Sequence, residues 1–379
     1  MATKPRSIFE EVEGTQKPVA APGGIDAKAK GARGGIRVWL MMLFALVVVM
    51  ITVGGLTRLT DSGLSITEWA PLSGSVPPMD AAAWDAEFEA YKQIPEYTQQ
   101  NAGMTLSEFK TIYWWEWGHR QLGRVIGLVW ALGFLWFLLR GQIPVGWKGR
   151  LLMLGGLGGL QGAIGWWMVS SGLHDGMLDV ASYRLATHLG LAFVILGFIA
   201  WYVFLLGRRE ADLMQARRAG EGRLVSLTSG LVAFAFVQIL LGALVAGIDA
   251  GRAFPTWPLM GSGFLPPDPF LITPVWRNFF EDDGLVQFIH RMSAYGLFIF
   301  AVFVWLKARK SPNGQTRFGF NIVLACMAVQ MIIGIVTVLY SAPASIAIVH
   351  QFVAVLLWVA ILRARYLARY PLPQSIRGT

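Results

Sequence analysis

The chain has 379 residues, of which 55% are hydrophobic and 15% are charged, and it contains a single cysteine. Because a soluble domain carries about 25% charged residues, this composition excludes a water-surrounded globule, a disulfide scaffold and a disordered chain. In a membrane protein the net charge of +9 is expected to reflect cationic loops on one side of the membrane, so no nucleic-acid partner is expected.

Eight segments are apolar enough to cross a lipid bilayer, which requires roughly 20 residues each. They lie at about 37–57, 117–139, 150–170, 184–206, 225–247, 286–306, 318–340 and 344–362. The loop at 61–116 is long enough to form amphipathic helices over the outer face.

Lysine and arginine fall on alternate connections between these spans. The segment before span one, the connections after spans two, four and six, and the segment after span eight are rich in cations. The 171–183 connection has Asp175 and Asp179 and no cation. Because cationic loops stay inside, both termini are predicted to be cytoplasmic. Residues 1–35 are polar and contain acids, which predicts a disordered cytoplasmic tail; residues 367–379 are predicted to form a second one. A mitochondrial presequence would avoid acidic residues, so a bacterial inner membrane is favoured.

Two halves, 36–210 and 224–366, contain similar features in the same order. Residues 54–63 match 246–252, and residues 117–120 match 288–291. Gln161 matches Gln330, because each of these two glutamines lies four residues before a glycine. The predicted fold class is therefore all-α: a polytopic membrane protein whose eight transmembrane helices form two repeated four-helix bundles, related by a pseudo-twofold axis along the membrane normal.

Four of the five histidines share one predicted depth, near the outer start of the even-numbered spans. They are His119, His188, His290 and His350. A single such histidine is compatible with an interfacial helix end, but two matched pairs need a common cause. Imidazole pairs on facing helices suit iron porphyrin, whereas zinc lacks the cysteines or carboxylates for a closed site. His119 is predicted to pair with His188, and His290 with His350, while His174 is assigned to a solvated loop.

Haem propionates require cationic partners, and arginine contacts carboxylates in a planar bidentate geometry. The candidates are Arg58, Arg120, Arg252 and Arg291, at the outer helix ends. Interfacial snorkelling explains the same positions equally well.

The two halves differ three residues before the first histidine of each pair, where Glu116 corresponds to Gln287. A spacing of three places Glu116 on the helical face of His119. A carboxylate can move a proton or stabilise a developing cation, and an amide cannot. The first half is therefore predicted to be the reactive site and the second to hold a redox haem. A first-turn acid favoured by the helix dipole is the alternative.

These same residues resemble the haem A synthase family. The similar segments are FKTIYWWEWGHRQLGR at 109–124, GGLTRLTDSGLSI at 54–66, VWRNFFED at 275–282 and the His350-Gln351 pair. The resemblance extends from about residue 36 to 366, and the chain is similar to the branch of the family without a cysteine pair.

The resemblance implies a membrane oxidoreductase that converts the C8 methyl of haem O to a formyl group by two hydroxylations, supplying haem A to terminal oxidases. It implies haem b at His290 and His350, haem O as substrate at His119 and His188, and Glu116 as the catalytic acidic residue. The implied partners are the bilayer, the enzyme that makes haem O, and terminal oxidase assembly factors.

Four histidines would equally serve a di-haem cytochrome b that carries electrons from quinol, or a haem transporter. A transmembrane electron carrier would place one haem near each face, whereas here all four histidines share one depth. A transporter has no need for Glu116.

Overall fold

The computed structural model describes residues 30–173 and 176–373. The predicted tails lie largely outside these residues, as do His174 and Asp175. Across the described residues the regular secondary structure is helical, with one isolated β-bridge between Met260 and Gly263.

Twelve α-helices follow one another in the described part of the chain. They are α1 (Lys30–Leu59), α2 (Ala81–Tyr91), α3 (Pro95–Gln99), α4 (Leu106–Leu139), α5 (Lys148–Gly172), α6 (Ser182–Leu206), α7 (Glu210–Arg218), α8 (Gly222–Gly247), α9 (Asn278–Glu281), α10 (Asp283–Ala308), α11 (Gly314–Leu339) and α12 (Ala344–Arg369). Short 3₁₀ turns lie at Ser73–Ser75, Ala250–Arg252 and Val275–Arg277. Eight of the helices, α1, α4, α5, α6, α8, α10, α11 and α12, are long and apolar enough to cross a membrane. The prediction of an all-α protein with eight spans is confirmed.

Helix α4 begins eleven residues before its predicted start at 117. Thr105 and Glu108 form a capping box, in which the Thr105 side chain accepts from the Glu108 N–H and Glu108 accepts from the Thr105 N–H. The predicted start was wrong because hydropathy marks where a helix enters lipid, not where it is capped. His119 consequently lies deep within its helix, whereas His188, His290 and His350 lie in the first two turns of α6, α10 and α12.

The long helices surround a continuous apolar core. Helix α1 packs on α4 and α6, and α5 packs on α6; in the second half α8 packs on α10 and α12, and α11 packs on α12 and α10. The two halves meet where α6 packs on α8 and α12. There the Trp358 indole donates a buried hydrogen bond of 3.1 Å to the Phe193 carbonyl.

The loop between α1 and α4, residues 60–105, forms a cap on the histidine-bearing end of the first four long helices. Trp84, Phe88 and Tyr91 of α2 are buried with Phe109 and Tyr113 of α4 in one apolar cluster. This burial of aromatic surface supplies most of the force that holds the cap on the helices.

A buried carboxyl group lies inside the cap. Glu96 of α3 is only 3% exposed and accepts a hydrogen bond of 3.0 Å from the Tyr91 hydroxyl, which in turn accepts from the Asn101 amide. Burial raises the pKa of Glu96 to about 8, although the hydrogen bond from Tyr91 acts in the opposite direction.

The stability of the cap is expected to fall as pH rises. Between the ordinary carboxyl pKa of 4.5 and about 8, the folded cap retains a proton on Glu96 that the unfolded loop has lost. Hydrogen exchange of the α2 and α3 amides, corrected for intrinsic rates, should accelerate by roughly tenfold or more over this range. Glu96→Gln should abolish the pH dependence; an unchanged dependence in that variant would contradict the assignment.

Candidate functional site

Each of the four membrane histidines packs its ring against a glycine of the preceding long helix. A Cβ atom built on the glycine would lie 2.8 Å from Cε1 of His119 at Gly54, 2.8 Å from that of His188 at Gly165, 3.0 Å from that of His290 at Gly242, and 2.9 Å from that of His350 at Gly334. Real Cβ atoms essentially never show contacts under 3.0 Å, and a contact of 3.0 Å still requires the neighbour to move by a few tenths of an ångström, so an alanine at any of these positions needs a shift of the ring.

These contacts place all four rings near one end of the helix bundle. Every one of the four glycines lies one to two turns before the C-terminal end of its helix. Within each half the two histidines lie on helices that share a packing partner, because α4 and α6 both pack on α1, and α10 and α12 both pack on α8. The pairing of His119 with His188 and of His290 with His350 stays a prediction.

A glutamine one turn before the glycine contacts three of the four histidines. The amide nitrogen of Gln161 donates to the His188 carbonyl at 3.0 Å, and that of Gln238 donates to the His290 carbonyl at 3.0 Å. The Gln330 amide nitrogen lies 3.3 Å from Nε2 of His350. In the sequence, Gln161 and Gln330 were noted only as matching positions of the two halves. The structure places both beside a histidine ring. Gln238 was missed in the sequence, although it has the same spacing of four to a glycine.

The ring surroundings fit an iron porphyrin held between imidazoles. The Nδ1 atoms of His119 and His350 are buried and have no hydrogen-bond partner among the described residues. Buried polar atoms are normally satisfied, so unpaired ring nitrogens in an apolar bundle are suited to a metal ligand or to a group bound there.

Glu116 lies at the junction between α4 and the cap. Its Oε2 accepts from the Ser65 hydroxyl at 2.8 Å and the Ile66 N–H at 2.7 Å. Its Oε1 accepts from Arg120 Nε at 3.0 Å and Nη2 at 2.6 Å. The carboxylate is 3% exposed, and these four donors occupy all of its usual acceptor sites.

Arg120 extends this network to the cap backbone, because its guanidinium also donates to the carbonyls of Ile66 and Glu68 at 2.8 Å each. In the second half, Arg291 donates in the same manner to Gln287 Oε1 at 3.1 Å and to the carbonyls of Leu259 and Phe254.

The remaining two predicted arginines differ in how they are engaged. Arg58 forms ion pairs with Asp61, Asp179 and Asp249, at 2.8, 3.5 and 3.2 Å. Arg252 has a half-exposed side chain, and its nearest carboxylate, that of Asp249, lies 3.9 Å away. Arg58 therefore links α1 to loops of both halves, while Arg252 retains free donors among the described contacts.

Comparison with known proteins places the chain in a family. Residues 37–362 match the COX15-CtaA family, described as cytochrome oxidase assembly protein. The chain belongs to this family. It is 67% identical to the heme A synthase of Ruegeria sp. (strain TM1040) over 98% of the chain and 99% of that relative. It is 62% identical to the heme A synthase of Roseobacter denitrificans over 99% of both chains, and 59% identical to that of Paracoccus denitrificans over 99% of both. All four histidines, their glycines and Glu116 lie within the matched residues.

The ring–glycine contact predicts that Gly242→Ala will reduce haem binding in the second half. The added methyl group must displace the His290 ring, so we expect the haem affinity to fall by roughly tenfold or more, as for other disturbed metal ligands. Gly230→Ala is the matched control on the same helix, because its Cβ would meet Phe300 at an ordinary contact distance of 3.4 Å. Haem titration of both purified proteins measures the difference; equal haem affinity in both would refute a role for this contact.

Proposed function

We propose that this protein oxidises the C8 methyl group of haem O to a formyl group by two successive hydroxylations and so produces haem A. The observation that carries this proposal is the 67% identity, over nearly the full length of both chains, to a relative named heme A synthase. The two pairs of buried imidazoles supply the haem-binding chemistry that such a reaction requires.

Each half has its own role in this proposal. The N-terminal half, residues 36–210, binds the haem O substrate between His119 and His188. The C-terminal half, residues 224–366, binds haem b between His290 and His350. When bound, haem b supplies one-electron redox chemistry. The packing of α4 and α6 on α1, and of α10 and α12 on α8, supports two separate sites, because each pair of histidines belongs to its own group of helices.

Glu116 acts as a fixed negative charge rather than as a mobile proton carrier. Its four hydrogen-bond donors leave no usual acceptor site for a proton, and they hold the carboxylate one helical turn from His119. A buried, preorganised carboxylate stabilises positive charge that develops on a substrate carbon. Gln287 occupies the corresponding place in the second half and has no such charge, which is why we place the reaction in the first half.

Arg252 is the strongest candidate partner for a haem propionate, because its guanidinium is half exposed and makes no close ion pair. Arg58, Arg120 and Arg291 are held by protein acceptors, and they contribute positive potential near the same end of the bundle.

The cation-rich connections support a bacterial inner membrane location with both termini in the cytoplasm. In this orientation the histidines, the cap and Glu116 face the outer leaflet. Proteins that make haem O or assemble terminal oxidases are the partners we propose.

The decisive experiment analyses haem extracted from a host that expresses this chain together with a source of haem O. Mass spectrometry should detect a formyl porphyrin, and a His188→Ala variant should lose it. Only haem b and haem O in the extract would overturn the proposal and favour the di-haem electron carrier or a haem transporter.

Replacement of Glu116 by Gln should lower turnover by roughly a hundredfold, since a charge aimed at the transition state is lost. The absorption spectrum of haem b in the second half should be unchanged. Glu96→Gln is the matched control, because it removes another buried carboxyl group of the capped end without touching α4. Normal haem A formation by Glu116→Gln would eliminate the electrostatic role.

A further inference from the structure

Three of the four histidines have a glutamine neighbour, and the fourth has a methionine in its place. The glutamine lies four residues before the ring-contacting glycine in α5, α8 and α11: Gln161, Gln238 and Gln330. In α1 the residue four before Gly54 is Met50. This exception lies one helical turn before Gly54, the glycine that contacts His119 of the proposed substrate site.

The glutamine amides are held against the histidines by the backbone. Gln161 Nε2 lies 3.2 Å from Nδ1 and 3.3 Å from Nε2 of His188, while it donates to the His188 carbonyl. Gln238 Nε2 lies 3.0 Å from Nδ1 of His290 and donates to the His290 carbonyl in the same manner. Each amide is therefore anchored one helical turn from the glycine that receives the ring.

The Oε1 atoms of Gln161, Gln238 and Gln330 are buried and have no donor within residues 30–173 and 176–373. An imidazole that ligates a metal through one nitrogen carries a proton on the other and normally donates it to a nearby acceptor. Rotation about the last side-chain torsion, which is broad for an amide, exchanges Oε1 and Nε2, and for Gln161 and Gln238 it gives up the bond to the histidine carbonyl in exchange for the ring N–H. The unsatisfied oxygen of each amide can thus reach the ring nitrogen that needs an acceptor.

We infer that Gln161, Gln238 and Gln330 are positioning residues that accept the ring N–H of His188, His290 and His350 when these histidines ligate haem iron. The hydrogen bond orients each ring and increases the basicity of the ligand. This inference rests on the proposed function.

His119 is the one ligand without this support. Its Nδ1 is buried and unpaired, and Met50 offers only a thioether. The Met50 methyl group contacts α4, because its Cε atom lies 3.4 Å from the position that a Cβ atom on Gly123 would take. His119 would consequently hold haem more weakly than His188. This suits a site whose haem must enter as substrate and leave as product, whereas a resident haem b gains from two supported ligands.

The reduction potential of haem b tests the hydrogen bond at Gln238. Gln238→Glu provides a stronger acceptor and should lower the potential, because a more basic imidazole favours ferric iron. Gln238→Leu removes the acceptor and should raise it. Gln351→Leu is the control: the Gln351 amide donates a hydrogen bond of 2.6 Å to the Ile51 carbonyl and none to a histidine ring of the described residues, so its loss should leave the potential unchanged. Shifts of both Gln238 variants in the same direction, or no shift, would reduce this residue to a packing role.

The retention of haem in the first half tests the role of Met50. We load the full-length protein with haem O and mix it with excess apomyoglobin as a haem acceptor. Met50→Gln should slow the transfer by several-fold, and Gln161→Leu should accelerate it, while haem b stays bound in both. An unchanged transfer rate in Met50→Gln would refute the asymmetry.

Failure of this inference and failure of the proposed function give different results. If the wild-type protein binds no haem through its histidines, the proposed function fails. If it binds haem normally and the glutamine variants shift neither potential nor transfer rate, only the positioning role fails.

Discussion

The contact between an imidazole ring and a helical glycine determines how the functional end of this protein is built. Histidine is costly to bury in a bilayer, and its ring is too large for the gap between two closely packed helices. At Gly54, Gly165, Gly242 and Gly334 the missing Cβ provides the space that the ring needs. The helix pairs α1–α4, α5–α6, α8–α10 and α11–α12 can then pack closely while each presents one imidazole at a similar level. A methyl group at any of these glycines would move a ring.

The two halves differ at a small number of positions, and the differences have related consequences. Glu116 in place of Gln287 gives the first half a buried carboxylate, and Met50 in place of Gln238 leaves His119 without an amide neighbour. A carboxylate near an imidazole without such a neighbour would suit chemistry on a haem that is exchanged. Two amide-supported ligands and no acid are suited to a haem that stays.

The cap connects the acidic residue to the rest of the first half. Glu116 and Arg120 bind the backbone at Ile66 and Glu68, so the beginning of the cap is fastened to α4 by the same side chains that lie beside His119. In the second half Arg291 binds the loop at Phe254 and Leu259 with an amide as its neighbour. The similar arginine geometry shows that the carboxylate is not needed to hold such a loop. This makes the charge of Glu116 available as a functional property.

The sequence alone determined the number of spans and the contrast between Glu116 and Gln287, because hydropathy and residue spacing are local properties of helices. It did not determine that α4 begins at Leu106, since that start depends on a capping box and on aromatic packing beneath the cap. Nor could it show that Arg58 is paired with Asp179 and Asp249 from two distant loops, or that glutamines lie beside the rings. Those contacts join residues far apart in the chain. Only the packing of one helix against another decides which side chains meet there.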